Sequence, residues 1–346
     1  MSLMSGVYDF FGLDIGTTAV RLVELKGTGP VKTLVRYASA PLDVKSSQSD
    51  AQSDQQKLGR TIKDLLVESR IVTRNVAVGL PSQKVFTTVV DIDRLPPAEL
   101  GKTIRFQADS IIPTPLSESK IDWAVIGDSP ADKTKVEILL SSVPNEFVEK
   151  RLDLLESIGL NVIAFEPDNL ALTRAMLAGD AMQPHMVIDI GNISTDIAIT
   201  MNGAPRLTRA IPTGSDALIR AAMQNLNIDA DQAEQFVFKF GLSKAKLEGQ
   251  IHSAIIGTIE ILITEIDKSK KFFETRYPGN KIERIIVTGA ASALPEFPLH
   301  IANKFGVSVE IGNAWRNIAF SPDRQNELLG ISNHFGVAAG LAERAE

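Results

Sequence analysis

Two stretches of this chain set an aspartate, a glycine and hydroxyl side chains in the same order. The first, FGLDIGTTAVRLVELKGTGP, carries Asp14, Gly16, Thr17 and Thr18. The second, VIDIGNISTDIAITMNGAP, carries Asp189, Gly191, Ser194, Thr195 and Asp196. Each reads as a buried strand, Asp-x-Gly at a tight turn, and a second strand. Such a turn suits anion binding. Glycine lets the backbone pass close to a phosphate, and N–H groups pointing out of the turn make an anion nest. Thr17 and Thr18 add hydroxyl donors. An aspartate beside a phosphate repels it unless a hydrated Mg2+ lies between, and Mg2+ keeps its waters and takes few protein ligands. One Asp-x-Gly turn alone reads as an ordinary hairpin. Two in matching context predict two similar domains that pinch a triphosphate from both sides.

Two more segments fit that reading. RIIVTGAASALP (284–295) is a strand, then Gly289-Ala290-Ala291, then a helix start, and a small-residue turn there admits a ligand at a helix N-terminus. Glu166-Pro167 follows a strand at 161–165. Glu166 reads equally as a carboxylate serving the next helix N-terminus or as one that orients water near a γ-phosphate. Gly101-Lys102-Thr103 imitates the end of a P-loop, but Pro96 stands where that motif needs glycine. The four His show no metal-ligand spacing.

The elements that must position these residues are legible from periodicity. A hairpin is expected at 20–25 and 31–37 across a Gly-Thr-Gly-Pro turn. The polar run 43–57 is expected as a solvated loop, 57–70 as a helix with Leu58, Ile62, Leu65 and Leu66 on one face, and 75–81 as a buried strand. Residues 82–160 read as a separate α+β unit: strand 85–92, helix 97–112, strands 121–126 and 136–143, helix 145–158, with both helices on one face. The strand-hairpin pattern returns at 186–211. Residues 213–277 are mostly helical, 282–311 run strand, helix, strand, and NHFGVAAGLAERAE is a small-residue helix suited to close packing.

A chain of 346 residues suits two domains. The net charge of −6 with dispersed Lys and Arg argues against nucleic acid as a partner. The absence of Cys removes disulfides and thiol chemistry and fits a reducing compartment. No stretch is long and apolar enough to span a membrane, so any membrane link is expected through a partner. The start, MSLMSGVYDFFG, lacks a leader pattern, and Met4 reads as well as Met1 for the first residue.

The ordered motifs DIGTT, EPDNLAL, DIGNIST and VTGAASALP resemble those of the actin, heat-shock ATPase and sugar kinase superfamily, and GLDIGTTAVRLVEL with an insertion near residue 82 resembles its PilM and FtsA branch. FtsA proteins usually continue into a membrane helix, which favours the PilM family of type IV pilus assembly proteins. The resemblance implies an α/β, actin-like ATPase fold: two duplicated RNase H-like domains around a nucleotide cleft, with an inserted α+β 1C (SHS2-like) subdomain. It implies subdomain 1A at 8–81, 161–185 and 333–346, 1C at 82–160, 2A at 186–220 and 278–332, and 2B at 221–277. It assigns Asp14, Gly16, Thr17, Thr18, Gly191, Asn192, Thr195, Gly289 and Ala290 to ATP. Asp14 and Asp189 go to Mg2+ through water, Glu166 and Asp189 to catalysis, and Glu265 and Lys268 to adenine and ribose. Ala290 where relatives carry a second Gly, and Asn192 where several carry a small residue, imply nucleotide binding with at most slow hydrolysis. The implied partners are the cytoplasmic N-terminal tail of PilN, in a groove between 1A and 1C, and other inner-membrane pilus proteins, with weak self-association left open. The implied location is cytoplasmic, peripheral to the inner membrane. The rival readings are a filament-forming ATPase of FtsA or MreB type and a small-molecule kinase.

Overall fold

The computed structural model describes residues 9–27 and 29–345. The expected start region 1–8, and Thr28 of the first turn, lie outside the described residues. The chain forms a meander of β1 (Phe11–Ile15), β2 (Ala19–Lys26) and β3 (Lys32–Pro41), then helices α1 (Val44–Ser47) and α2 (Gln52–Ser69) and strand β4 (Asn75–Leu80). An inserted unit follows: β5 (Phe86–Asp93), α3 (Pro97–Ile111), β6 (Ser119–Asp128), β7 (Lys135–Pro144) and α4 (Asn145–Ser157). Next come β8 (Asn161–Pro167) and α5 (Asp168–Met176). A second meander, β9 (His185–Ile190), β10 (Thr195–Met201) and β11 (Ala204–Ile211), leads to helices α6 (Ser215–Leu226), α7 (Ala230–Phe240) and α8 (Gln250–Arg276). The rest is β12 (Arg284–Thr288), α9 (Phe297–Phe305), β13 (Ser308–Ile311), β14 (Ile318–Ala319), α10 (Gln325–Ile331) and α11 (Gly336–Glu343).

The duplication read from the motifs extends to the sheets. The first contains the order β3-β2-β1-β4-β8 and the second β11-β10-β9-β12-β13. In both, the meander is antiparallel and the last two strands run parallel to the first. Strands covered on both faces should be apolar throughout. Phe11, Leu13, Val76, Ala77 and Val78 are accordingly fully buried. β14 adds to the edge of the first sheet, parallel to β3, although its residues fall in the range expected for the second domain.

Helices α5 and α11 fill the space between the two sheets. Ala171, Leu172, Ala338 and Leu341 share a core with Val23 and Ala77 of the first sheet and Val187 and Ile286 of the second. The small-residue helix foreseen in the sequence is α11, and glycines set its distance from its neighbours. A Cβ on Gly340 would lie 1.8 Å from the carbonyl oxygen of Ala171, and one on Gly12 would lie 2.3 Å from that of Ala338.

Two expectations change. The polar run is not a loop. Asp43 caps α1 by accepting from the Ser46 N–H, and α2 starts at Gln52. The first turn of α2 is solvated, so it needed no apolar residue, and only its later turns carry the buried stripe Leu58, Ile62, Leu65 and Leu66. The inserted sheet, order β5-β7-β6, is covered by α3 alone among the two expected helices, through Leu100, Ile104 and Ala108. Helix α4 packs Leu155 into the first-domain core and Val148 against Leu80 and Val143 at the junction.

Replacing Gly340 by Ala should lower the thermal midpoint, at a cost of about 1–3 kcal/mol or more, because backbone rather than a movable side chain blocks the new methyl. Gly330→Ala, in open space on α10, serves as the control and should leave the midpoint unchanged or raise it slightly.

Candidate functional site

The two Asp-x-Gly turns fold alike. The Gly16 N–H donates to the Ala19 carbonyl at 3.0 Å, and the Gly191 N–H to the Ser194 carbonyl at 2.9 Å. In the first hairpin Asp14 lies opposite Arg21 and Ile15 opposite Val20. In the second Asp189 lies opposite Asp196 and Ile190 opposite Thr195. Both turns line one cavity of about 700 Å3, together with Asp168, Arg21 and the Gly289–Ala290 turn.

Gly289 stands at φ 83°, and a Cβ there would lie 2.4 Å from Asp189 Oδ1 and 2.4 Å from the Ile190 carbonyl oxygen. Only glycine fits both the backbone and the space. Gly214 is wedged against the second turn in the same way: a Cβ there would lie 2.4 Å from the Asn192 carbonyl oxygen. The N–H groups of Ser215 and Asp216, at the start of α6, donate to the carbonyls of Gly191 and Asn192, each at 2.9 Å. The first turns of α6 thereby hold the second phosphate-type turn in place.

Asp14, Gly16, Thr17, Thr18, Asp189, Gly191, Asn192, Gly289 and Ala290 all line this cavity. Four expected site residues do not. Thr195 is fully buried, and its Oγ1 donates to the Thr213 carbonyl at 2.7 Å. It pairs with Ile190 and takes the place that Val20 holds in the first hairpin, so pleat alternation turns it to the core. Glu166 is buried under Arg174 and Arg344, with Arg344 Nη1 at 3.0 Å. The acid that faces the cavity at that strand end is Asp168. Gly79 makes room for it, since a Cβ there would lie 2.2 Å from Asp168 Oδ1. Glu265 pairs with Arg209 and with Lys268, and neither Glu265 nor Lys268 reaches the cavity, which α7 instead lines with Glu234 and Phe238. The signal for Asp168 was present in the sequence, as an acid two residues past Glu166.

A sequence profile described as type IV pilus assembly protein PilM matches residues 12–346. The cell division protein FtsA of Neisseria meningitidis serogroup B is 34% identical over 96 residues, 28% of this chain. The match spans only 23% of that relative's length. A solved PilM-PilN type IV pilus biogenesis complex superposes with a TM-score of 0.82 at 26% identity, covering 96% of this chain and 97% of that one. MreB 5 of Spiroplasma citri bound to AMPPNP superposes with a TM-score of 0.55 at 12% identity, covering 97% and 95%. The fold is that of the actin-like ATPases. No described helix is long and apolar enough to cross a membrane.

The electrostatics of the cavity are dominated by four aspartates. Burial raises Asp14, against the pull of Arg21, which sits 3.4 Å away. Burial and then Asp14 push Asp189 up to about 6. Burial and then Asp189 push Asp196 up to about 7. Asp168 is raised well above the usual range by burial and by Asp14, Asp196 and Asp189. One carboxylate oxygen on each of Asp168 and Asp196 is buried without a hydrogen-bond partner. Among the described residues no three acidic or imidazole side chains converge to cage an ion by themselves.

These raised values fix a pH dependence. A carboxyl that binds its proton more tightly when folded contributes stability below its unfolded pKa, and that contribution is lost as pH rises through the folded value. For Asp189 and Asp196 the loss runs from about 4 to about 7. Asp196→Asn mimics the protonated acid. Its thermal midpoint should therefore exceed that of the ligand-free wild type at about pH 8 and approach it at about pH 4. A gap of the same size at both pH values would contradict the assignment.

Proposed function

We infer from one plain fact, that this chain belongs to the PilM family of type IV pilus assembly proteins, that it works as an ATP-binding adaptor for the cytoplasmic N-terminal tail of a PilN protein at the inner membrane. The carrying observation is the pair of like-folded hairpins, whose glycine turns and aspartates share one cavity. The residues present fit Mg·ATP. The turns offer backbone N–H groups and the Thr17 and Thr18 hydroxyls to phosphate oxygens, and Gly289 lets its turn pack against the second hairpin at the cavity wall. The unpartnered oxygens of Asp168 and Asp196 await a positive charge. Asp14 and Asp189 would hold hydrated Mg2+, whose chemistry here is to neutralise carboxylates and phosphates that would otherwise repel.

The attachments of the inserted unit suggest how occupancy would reach a partner. The inserted unit is tied to the second domain by a buried ion cluster. Glu137 of β7 accepts from Arg206 of β11 at 2.8 Å, from Arg276 of α8 at 2.9 Å and from the Tyr277 hydroxyl at 2.7 Å. Arg276 also reaches Asp91 of β5 at 3.1 Å. The unit is tied to the first domain by α4. Closing the cleft over a nucleotide would move one tie relative to the other and reshape the groove between the inserted unit and the first domain. That is coupling between two sites, with contacts that differ between two states.

The affinity of a PilN tail peptide, measured by titration calorimetry, should differ with and without Mg·ATP by about 5- to 150-fold. Asp14→Ala should remove the difference and keep the nucleotide-free affinity. Equal affinities in the wild type would end the coupling, while loss of all peptide binding would end the adaptor reading. Mg·ATP at about 100 times its Kd should also stabilise the wild type by about 2.7 kcal/mol and leave Asp14→Ala unmoved.

A further inference from the structure

The first-domain end of the cavity holds two cations that its carboxylates leave unmatched. Arg151 of α4 lines the cavity, and its Nη1 is buried without a hydrogen-bond partner. Its guanidinium lies 5.6 Å from the centroid of the Phe147 ring, and Lys84 Nζ lies 6.0 Å from the same centroid. The neighbouring Lys150 is already engaged, at 2.8 Å from Asp50 and 2.7 Å from Glu146. Among the described residues neither Lys84 nor Arg151 has a carboxylate within ion-pair distance. Asp168 and Asp50 are the acids whose fields reach Arg151, and Asp50 is held by Lys150. A guanidinium does not deprotonate to escape burial, so an unmade bond on it calls for an anion with more than one acceptor oxygen.

The position says which anion. Pro81, Ser82 and Lys84 follow β4, whose sheet neighbour β1 carries Asp14. The Gly289–Ala290 turn and Asn333 line the same cavity, as do Glu234 and Phe238 of α7. A nucleotide with its phosphates over the two hairpin turns shares the cavity with α4, where Arg151 offers an unpartnered N–H. Resting on the nucleotide reading above, we propose that Arg151, aided by Lys84, grips the terminal phosphate of a nucleoside triphosphate and makes this site select triphosphate over diphosphate. Arg151 is then a phosphate-sensing residue, and its helix is the one that packs on both the inserted unit and the first domain.

The test is the affinity of the full chain for Mg·ATP and Mg·ADP, by competition against a fluorescent nucleotide. Arg151→Met, which keeps the stem and removes the fork, should weaken ATP by about 10- to 100-fold, the loss expected for charge-assisted hydrogen bonds, and leave ADP within about 2-fold. Arg151→Lys should recover part of the ATP affinity. Lys84→Ala, on an exposed side chain whose removal leaves the core intact, should show a smaller loss of about 2- to 5-fold, also confined to ATP. Equal losses for ATP and ADP, or no loss in Lys84→Ala, would overturn the clamp while leaving the nucleotide site standing. A wild type that binds neither nucleotide would overturn both.

Discussion

Four aspartates around one cavity, Asp14 buried and the other three half-buried, repel each other, and the rest of the molecule is arranged around that repulsion. Asp14, Asp168, Asp189 and Asp196 come from both domains, and Arg21 is the guanidinium within ion-pair reach of any of them among the described residues. Carboxylates taken out of water and left near one another rise in pKa or attract a cation. Here the duplication of the fold holds them together regardless, because each sits at the end of a strand or on the first turn of a helix anchored in its own core. The result is a site whose resting state is strained in charge rather than in backbone, and any ligand that brings positive charge relieves it.

The two halves of the molecule differ where the chemistry differs. At the position where the first hairpin carries Arg21, the second carries Asp196. One wall can therefore answer an anion and the other a cation. The inserted unit departs from this symmetry, and its attachment is ionic. Glu137 is almost fully buried and Arg206 nearly so, and removing one partner of such a pair leaves an uncompensated charge, a loss of about 3–5 kcal/mol. Polar contacts of this kind are directional, so they fix the orientation of the unit on the second domain as well as its presence there.

Much of this was readable from residues alone because it rests on local rules. The hairpins, the Gly289 turn, the helices of the second domain and the β-α-β-β-α order of the insertion follow from periodicity and glycine placement. The expected residues that lie outside the cavity do so where a longer-range contact chose between locally equivalent options. Thr195 and Ser194 are both hydroxyl residues beside a glycine turn, and only the strand register turns the first inward. Glu166 and Asp168 flank one proline, and Arg344, far along the chain, claims the first. Glu265 and Lys268 occupy the middle of α8, where the edge strand β11 intervenes with Arg209. The run at 43–57 looked unstructured because its helical turns bury no apolar residue before Leu58 and so show no apolar stripe.

Helix α11 has a bearing on how the chain reaches this state. It backs β1 through Gly12, and Lys32 donates to the Ala342 carbonyl 310 residues further on. The strand that carries Asp14 thus finds its support in a segment made long after it. Pairings of such sequence separation carry a large loop-closure entropy and slow the search for the native topology. Until α11 docks, the face of the first sheet around Gly12 has α5 but not α11 as its cover.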